Sequence, residues 1–204
     1  MTNLRPVLLV LLAALGVAGL NSCQIQRMES ELTQRDPDFD AKALYVKYRE
    51  QHGQRARKVR QAASSAVSMR VHIEGCLMKG INEYIPLTKK EVCVARKILS
   101  EIEEVPPRDY RMWLKEKYDS VFGPQPSPPM FGTPLEFVSS NGKVSYYLYL
   151  SDGLMGDAAK AEEYRTAEYR PGFMLPTASL ARWNALPFHK KLKRREYQLY
   201  RRVK

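Results

Sequence analysis

Apolar and polar residues alternate along the chain with a period that changes from segment to segment. Behind Asp40, an N-cap residue type, Leu44, Tyr45 and Tyr48 recur at helical spacing and predict a helix over about Ala41 to Gln51, ended by Gly53. From Val67 the period drops to two. Val67, Met69, Val71 and Ile73 alternate with Ser68, Arg70, His72 and Glu74, the pattern of a half-buried strand, and a helix using Ala66, Met69, Ile73 and Leu77 is the competing reading. Thr88-Lys89-Lys90-Glu91 has the spacing of a capping box, in which threonine and glutamate each satisfy a backbone donor that the first helical turn leaves open. Val92, Ala95, Leu99 and Ile102 extend this helix to about residue 104, and Pro106-Pro107 stops it. Tyr110, Trp113, Leu114, Tyr118 and Val121 predict another helix before a stretch with five prolines between Pro124 and Pro134.

The segment from Pro134 to Ser151 reads as a β-hairpin. Asn141-Gly142 suits a two-residue turn, which sets Ser140 opposite Lys143, Phe137 opposite Tyr146 and Leu135 opposite Leu148, so that apolar pairs share one face. Tyr147 and Tyr149 fall on the other face, where they either lie under a helix or form a carbohydrate- or protein-binding surface. Phe173, Met174 and Leu175 predict a short strand, and Leu180, Trp183 and Leu186 a short helix opened by Thr177. Helices and strands do not alternate regularly, which excludes a doubly wound parallel sheet. The expected fold class is α+β: a small antiparallel sheet with the hairpin at 135–150, packed by the helix at about 88–104, plus N-terminal and C-terminal helical segments. With 204 residues, 44% of them apolar, one α+β domain is expected over 41–188.

The first residues carry a different message. Arg5 precedes fifteen apolar or small residues, Pro6 to Leu20, a basic start and short apolar run laid out like a secretory signal. As a helix this run measures about 22 Å against a hydrocarbon core of about 30 Å, so a permanent anchor helix is the second choice. Leu20-Asn21-Ser22-Cys23 follows at once and resembles the lipobox of bacterial lipoprotein precursors, departing from it at Asn21. The resemblance covers about two dozen residues and is silent about the domain behind them. It implies that residues 1–22 form a signal peptide and that Cys23 is lipidated, with a thioether-linked diacylglycerol and a further acyl chain such as palmitate on its amine. Two or more acyl chains anchor a protein firmly without spanning the bilayer. Ordinary signal cleavage beside an unrelated cysteine is the alternative. Gln24 stands where an aspartate would signal inner-membrane retention, which favours an outer membrane if there is one. Residues 23–40, polar and interrupted by Asp36-Pro37-Asp38, read as a tether.

Export changes the reading of the cysteines. With Cys23 lipidated, Cys76 and Cys93 remain as an even pair, and in an oxidising periplasm a disulfide between them closes a loop worth about 3 kcal/mol in the chain-entropy model. Two buried free thiols are the alternative, and a metal site of His72, Cys76 and Cys93 competes for the same sulfurs.

Net charge is +11, and it is local. Seven basic residues and one acid stand between Lys42 and Arg60, eight basic residues and one acid between His189 and Lys204, and the rest of the chain is slightly acidic. Arg55, Arg57, Lys58 and Arg60 in the first segment, with Lys190, Lys191, Lys193, Arg194 and Arg195 in the basic C-terminal tail (189–204), are therefore candidate contacts for an anionic partner. For an exported protein that partner is anionic lipid, lipopolysaccharide or cell-wall polymer before nucleic acid, and a protein partner stays open.

No phosphate loop, zinc-protease helix, paired C-x-x-C or G-x-S-x-G is present. His52, His72 and His189 are dispersed, and Asp109, Asp152, Asp157, Glu162 and Glu163 sit among basic or helical neighbours that explain them as surface. No catalytic residue and no cofactor follow from the sequence. The expected function is a non-catalytic binding or structural module tethered to the bacterial cell envelope. A periplasmic hydrolase-like enzyme and a membrane-anchored subunit of a larger assembly are the alternatives.

Overall fold

A computed structural model describes residues 22–76, 80–124, 131–150, 154–156 and 172–203. In chain order the elements are α1 (22–35), α2 (Ala41–Glu50), α3 (Gln54–Ser65), β1 (Ser68–Gly75), β2 (Asn82–Pro86), α4 (Lys89–Leu99), β3 (Glu103–Glu104) and α5 (Tyr110–Phe122). There follow β4 (Phe131–Gly132), β5 (Pro134–Val138), β6 (Val144–Tyr149), β7 (Leu154–Gly156), β8 (Phe173–Leu175), α6 (Thr177–Asn184) and α7 (Pro187–Val203). The fold is α+β, as the sequence implies. Where one domain was expected, the chain divides into two compact units, one within Met1–Glu50 and Arg108–Gln125, the other within Gln51–Pro107 and Pro126–Lys204.

The first unit is helical. Residues 22–35, expected as a tether, form α1, because Ile25, Met28 and Leu32 share a helical face and pack with Trp113 and Leu114 of α5. Asp40 caps α2 by accepting from the Lys42 and Ala43 amides at 3.1 and 3.0 Å, and Asp109 caps α5 by accepting from Met112 at 2.8 Å. The Tyr45 hydroxyl donates to the Arg108 carbonyl and the Tyr48 hydroxyl accepts from the Arg108 amide, which ties α2 to the start of α5. Tyr110 donates to Glu29, Tyr118 donates to Glu31, and Arg35 lies over the Phe122 ring, which ties α1 to α5. Burial, then the Glu29 carboxylate, raises the Tyr110 phenol well above its ordinary pKa.

In the second unit the main sheet has the order β2-β1-β5-β6, with β4 also on β1 and all pairs antiparallel. The period-two reading of residues 67–73 holds: Met69, Val71 and Ile73 are at most 1% exposed. They meet Leu135, Phe137 and Leu148 on the same side, and α3, α4, α6 and α7 close that side with Val59, Ala63, Ala95, Ile98, Trp183, Phe188, Leu192 and Leu199. Helices therefore cover one face of the sheet. Along the sheet, α7 lies over β2, α4 over β1 and α3 over β6. A second small sheet pairs β3 antiparallel and β7 parallel to β8.

The hairpin keeps the expected pairs Leu135–Leu148 and Phe137–Tyr146 but turns differently. Ser139, not Ser140, bonds Lys143, through its amide to the Lys143 carbonyl at 2.9 Å, and a register shift falls between Phe137 and Val138. Gly142 takes positive φ, at 77°, while the Asn141 side chain accepts from the Lys143 amide at 3.0 Å. This is a three-residue loop with a bulge, which adds a residue to the turn and leaves the apolar register intact. The capping box at Thr88 is formed on both sides, and α4 ends at Leu99, short of residue 104, where the chain leaves to make β3.

Candidate functional site

Two surfaces of the second unit carry chemistry. The first is the outer side of its helical layer. Within α3, α4, α6 and α7 the acidic residues are Glu91 and Glu196 alone. Glu91 is 4% exposed and spent on the capping box, where burial opposes its charge but the Thr88 amide and hydroxyl, aided by Lys191, hold its pKa below the ordinary value. Glu196 is half-buried, and burial raises its pKa against a smaller opposing pull from Lys193. The layer thus shows solvent almost nothing but positive charge.

The predicted basic residues sort into two groups. Arg57, Lys58, Lys190, Lys191, Lys193 and Arg194 are exposed on α3 and α7. Arg55 is exposed too, with its guanidinium 4.8 Å from the Phe173 ring. Arg60 instead donates to the Ile102 carbonyl at 2.6 Å, and Arg195 grips Glu83 of β2 through two bonds of 2.5 Å. Both arginines fasten helices to neighbouring elements. The residues that sequence reasoning missed are Lys89, Lys90 and Lys97, exposed on α4. Because α4 lies between α3 and α7, they join two basic segments 130 residues apart into one layer. Their signal was present in the sequence but broken by the Glu91 cap. The tail itself is the helix α7, with Phe188, Leu192 and Leu199 buried and Tyr197 61% exposed on the opposite side.

The second surface is the open face of the sheet. Its cross-strand rows are Pro86–Arg70–Glu136–Tyr147 and, one step along, Tyr84 beside His72 and Tyr149 beside Pro134. Glu136 is 3% exposed, paired through Oε2 to Arg70 Nε at 2.6 Å and through Oε1 to His72 Nδ1 at 3.4 Å. His72 Nε2 lies 2.7 Å from Asn82 Oδ1, its ring stacks on Tyr84 at 4.6 Å, and Arg70 lies 4.2 Å over the same ring. Tyr84, Tyr147 and Tyr149 are 44%, 48% and 50% exposed, and among the described residues no helix covers the hairpin tyrosines. A cleft of about 290 Å³ runs along β6 between Tyr147, Tyr149, Arg55 and Phe173. A lone glutamate inside the apolar run Pro134–Val138 was the only sequence mark of this network.

The cysteines are free and exposed, and Cys76 and Cys93 are not joined. Cys76 follows the end of β1, whereas Cys93 stands on the exposed side of α4, so the expected bridge is absent and the His72–Cys76–Cys93 set is not assembled. Among the described residues no three His, Cys, Asp or Glu side chains are placed to hold a metal ion. Cys23 is exposed in the first turn of α1. Among the described residues no helix is long and apolar enough to cross a membrane. His189 packs between Phe188 and Trp183, where burial lowers its pKa, and His52 is exposed in the turn before α3. Asp109 is consumed as a cap, and Asp152, Asp157, Glu162 and Glu163 lie outside the described residues.

No family model matches the chain, and neither the curated proteins nor the solved structures compared with it give a match. Its class is defined by the structure alone: an α+β unit with a basic helical layer on one side and an open tyrosine-bearing sheet on the other, joined to a small helical unit.

Proposed function

We propose that the protein is a non-catalytic envelope lipoprotein, acylated at Cys23, whose α3–α4–α7 layer rests against the anionic head groups of phospholipid. The observation that carries this reading is the layer in which Glu91 is buried and Glu196 half-buried while Arg57, Lys58, Lys89, Lys90, Lys97, Lys190, Lys193 and Arg194 stay exposed. Such a layer attracts a negative surface by about 1 kcal/mol per basic residue near it. Acyl chains supply the membrane affinity, and the basic layer adds preference for anionic lipid.

The test is sedimentation of the full chain with vesicles of phosphatidylcholine alone or with phosphatidylglycerol, across salt concentrations. Lys190→Gln/Lys193→Gln/Arg194→Gln should weaken binding to the anionic vesicles by about two orders of magnitude at low salt and leave binding to neutral vesicles unchanged. Equal partition of the two proteins, or no preference for anionic lipid, would overturn the reading of the layer. Intact mass of the protein from its native membrane, beside Cys23→Ala, tests the acylation separately.

A further inference from the structure

We propose that the outer edge of β6 takes an extended, acidic peptide of a partner protein as an additional strand. In an antiparallel pair the backbone groups of successive residues point alternately toward the neighbouring strand and away from it. On β6 the phase is fixed by Leu150, whose amide donates to the Thr133 carbonyl at 3.3 Å, one step beyond the Pro134–Tyr149 pair. Tyr146 and Leu148 therefore bond β5, and the N–H and C=O groups of Tyr147 and Tyr149 point outward. β6 is the last strand of its sheet, and among the described residues no partner takes these four groups. Both residues are exposed, so water satisfies their backbone until a strand replaces it.

The two edges of this sheet are unlike. β2 carries Glu83, gripped by Arg195 of α7, and ends in Pro86; charge and proline both discourage a further strand. β6 reads Val-Ser-Tyr-Tyr-Leu-Tyr, six residues of high strand propensity with neither. The space beside β6 then selects the occupant. A second copy pairing through its own β6 would bring its own α3 as well, and the two-fold axis of such a pair puts both α3 helices on the same side of the sheet. Neighbouring strands lie about 4.8 Å apart, whereas packed helices need about 8–10 Å, so two copies collide where a bare strand fits. The cleft of about 290 Å³ along β6 has Arg55 and Phe173 on its far side, and a strand seated on the edge points every second side chain into it. Charge sets the sign of those side chains. α3 carries Arg55, Arg57, Lys58 and Arg60 without an acid, and no acid lines the cleft, so carboxylates are drawn to this edge and cations repelled.

The experiment reads backbone amide exchange by NMR on the full chain, alone and with end-blocked decapeptides of alternating valine and glutamate or of alternating valine and lysine. In the free protein the Tyr147 and Tyr149 amides should exchange quickly and those of Tyr146 and Leu148 slowly. The glutamate peptide should slow Tyr147 and Tyr149 at least about tenfold, and the lysine peptide should not. Tyr147→Pro removes an outward donor and no bond to β5, so it should weaken peptide binding about tenfold with anionic-vesicle binding unchanged, while Tyr147→Ala keeps the donor and should weaken it less. Tyr149→Pro takes its place if Tyr147→Pro loses the native circular dichroism spectrum. No slowing with either peptide at millimolar concentration, equal slowing by both, or equal loss of binding in the alanine and proline variants would overturn the proposal. Slowing without peptide that grows with protein concentration would overturn it by giving the edge to a second copy. Loss of vesicle binding in a folded proline variant would overturn it by making the edge part of the lipid-facing layer.

Discussion

Thr88 and Glu91 show how much one residue pair settles. The threonine side chain accepts from the Glu91 amide at 3.2 Å while Glu91 Oε2 takes the Thr88 amide at 2.8 Å, which starts α4 and also removes an acid from a basic surface. Thr88→Ala should lower stability by about 1 kcal/mol in urea denaturation at neutral pH. Because the folded Glu91 carboxyl titrates below its ordinary value, its stabilising contribution is complete above the unfolded pKa. It disappears as pH falls through the lower folded value, so the gap between wild type and variant should shrink in acid. A gap of the same size at pH 7 and at about pH 2.5 would show that the threonine acts without the glutamate. Gly142 is the second such residue. A methyl group added there meets nothing within 4 Å, so Gly142→Ala probes only the backbone at φ 77° and should cost about 1–2 kcal/mol, whereas Gly142→Asn should cost less. Comparison of the two urea midpoints checks this.

Elements were legible where one period dominates. The alternation read from Val67 to Glu74 became β1 from Ser68 onward, with Val67 exposed before it; Val92, Ala95 and Leu99 hold one stripe and became α4; the Leu135–Leu148 and Phe137–Tyr146 pairs survived a turn of a different length. Three helices were hidden for one common reason, that few of their residues face the core. In α3 the buried stripe is Ala56, Val59, Ala62 and Ala63, small residues that look like filler among arginines. α7 buries Phe188, Leu192 and Leu199 within seventeen residues, and its charge masks the stripe. Ile25, Met28 and Leu32 similarly support α1 in a stretch otherwise polar. Tertiary packing decides such helices, and a sequence window cannot see the partner. Of the candidate sites, the basic residues were legible by composition and the Arg70–Glu136–His72 network was not, since it is assembled from strands 66 residues apart.

At the scale of the molecule, the second unit has two unlike sides, and the cysteines report on both. Cys93 stands on the helical side and Cys76 past the end of β1, each exposed. Without reductant, Cys23→Ala protein should therefore take up two equivalents of a maleimide in the folded state, read by intact mass; an unreactive chain that gains two hydrogens on reduction would restore the bridge. The separation of faces also explains why net charge describes this protein poorly. Helices α3, α4, α6 and α7 alone carry a surplus of +14, more than the +11 of the whole chain, and the sheet behind them follows other rules.

The packing of α1 has one more consequence. Cys23 lies in its first turn and Ile25, two residues on, is already seated against α5. With Cys23 acylated, no slack chain separates lipid from folded protein, so the helical unit has a fixed reach. A flexible leash explores a radius that grows as the square root of its length; this attachment explores almost none. The helical unit would then meet only partners that come to the membrane surface, in an orientation set by the direction of one helix, and lengthening the chain between residues 23 and 25 with a glycine-serine insert would convert a fixed post into a tether.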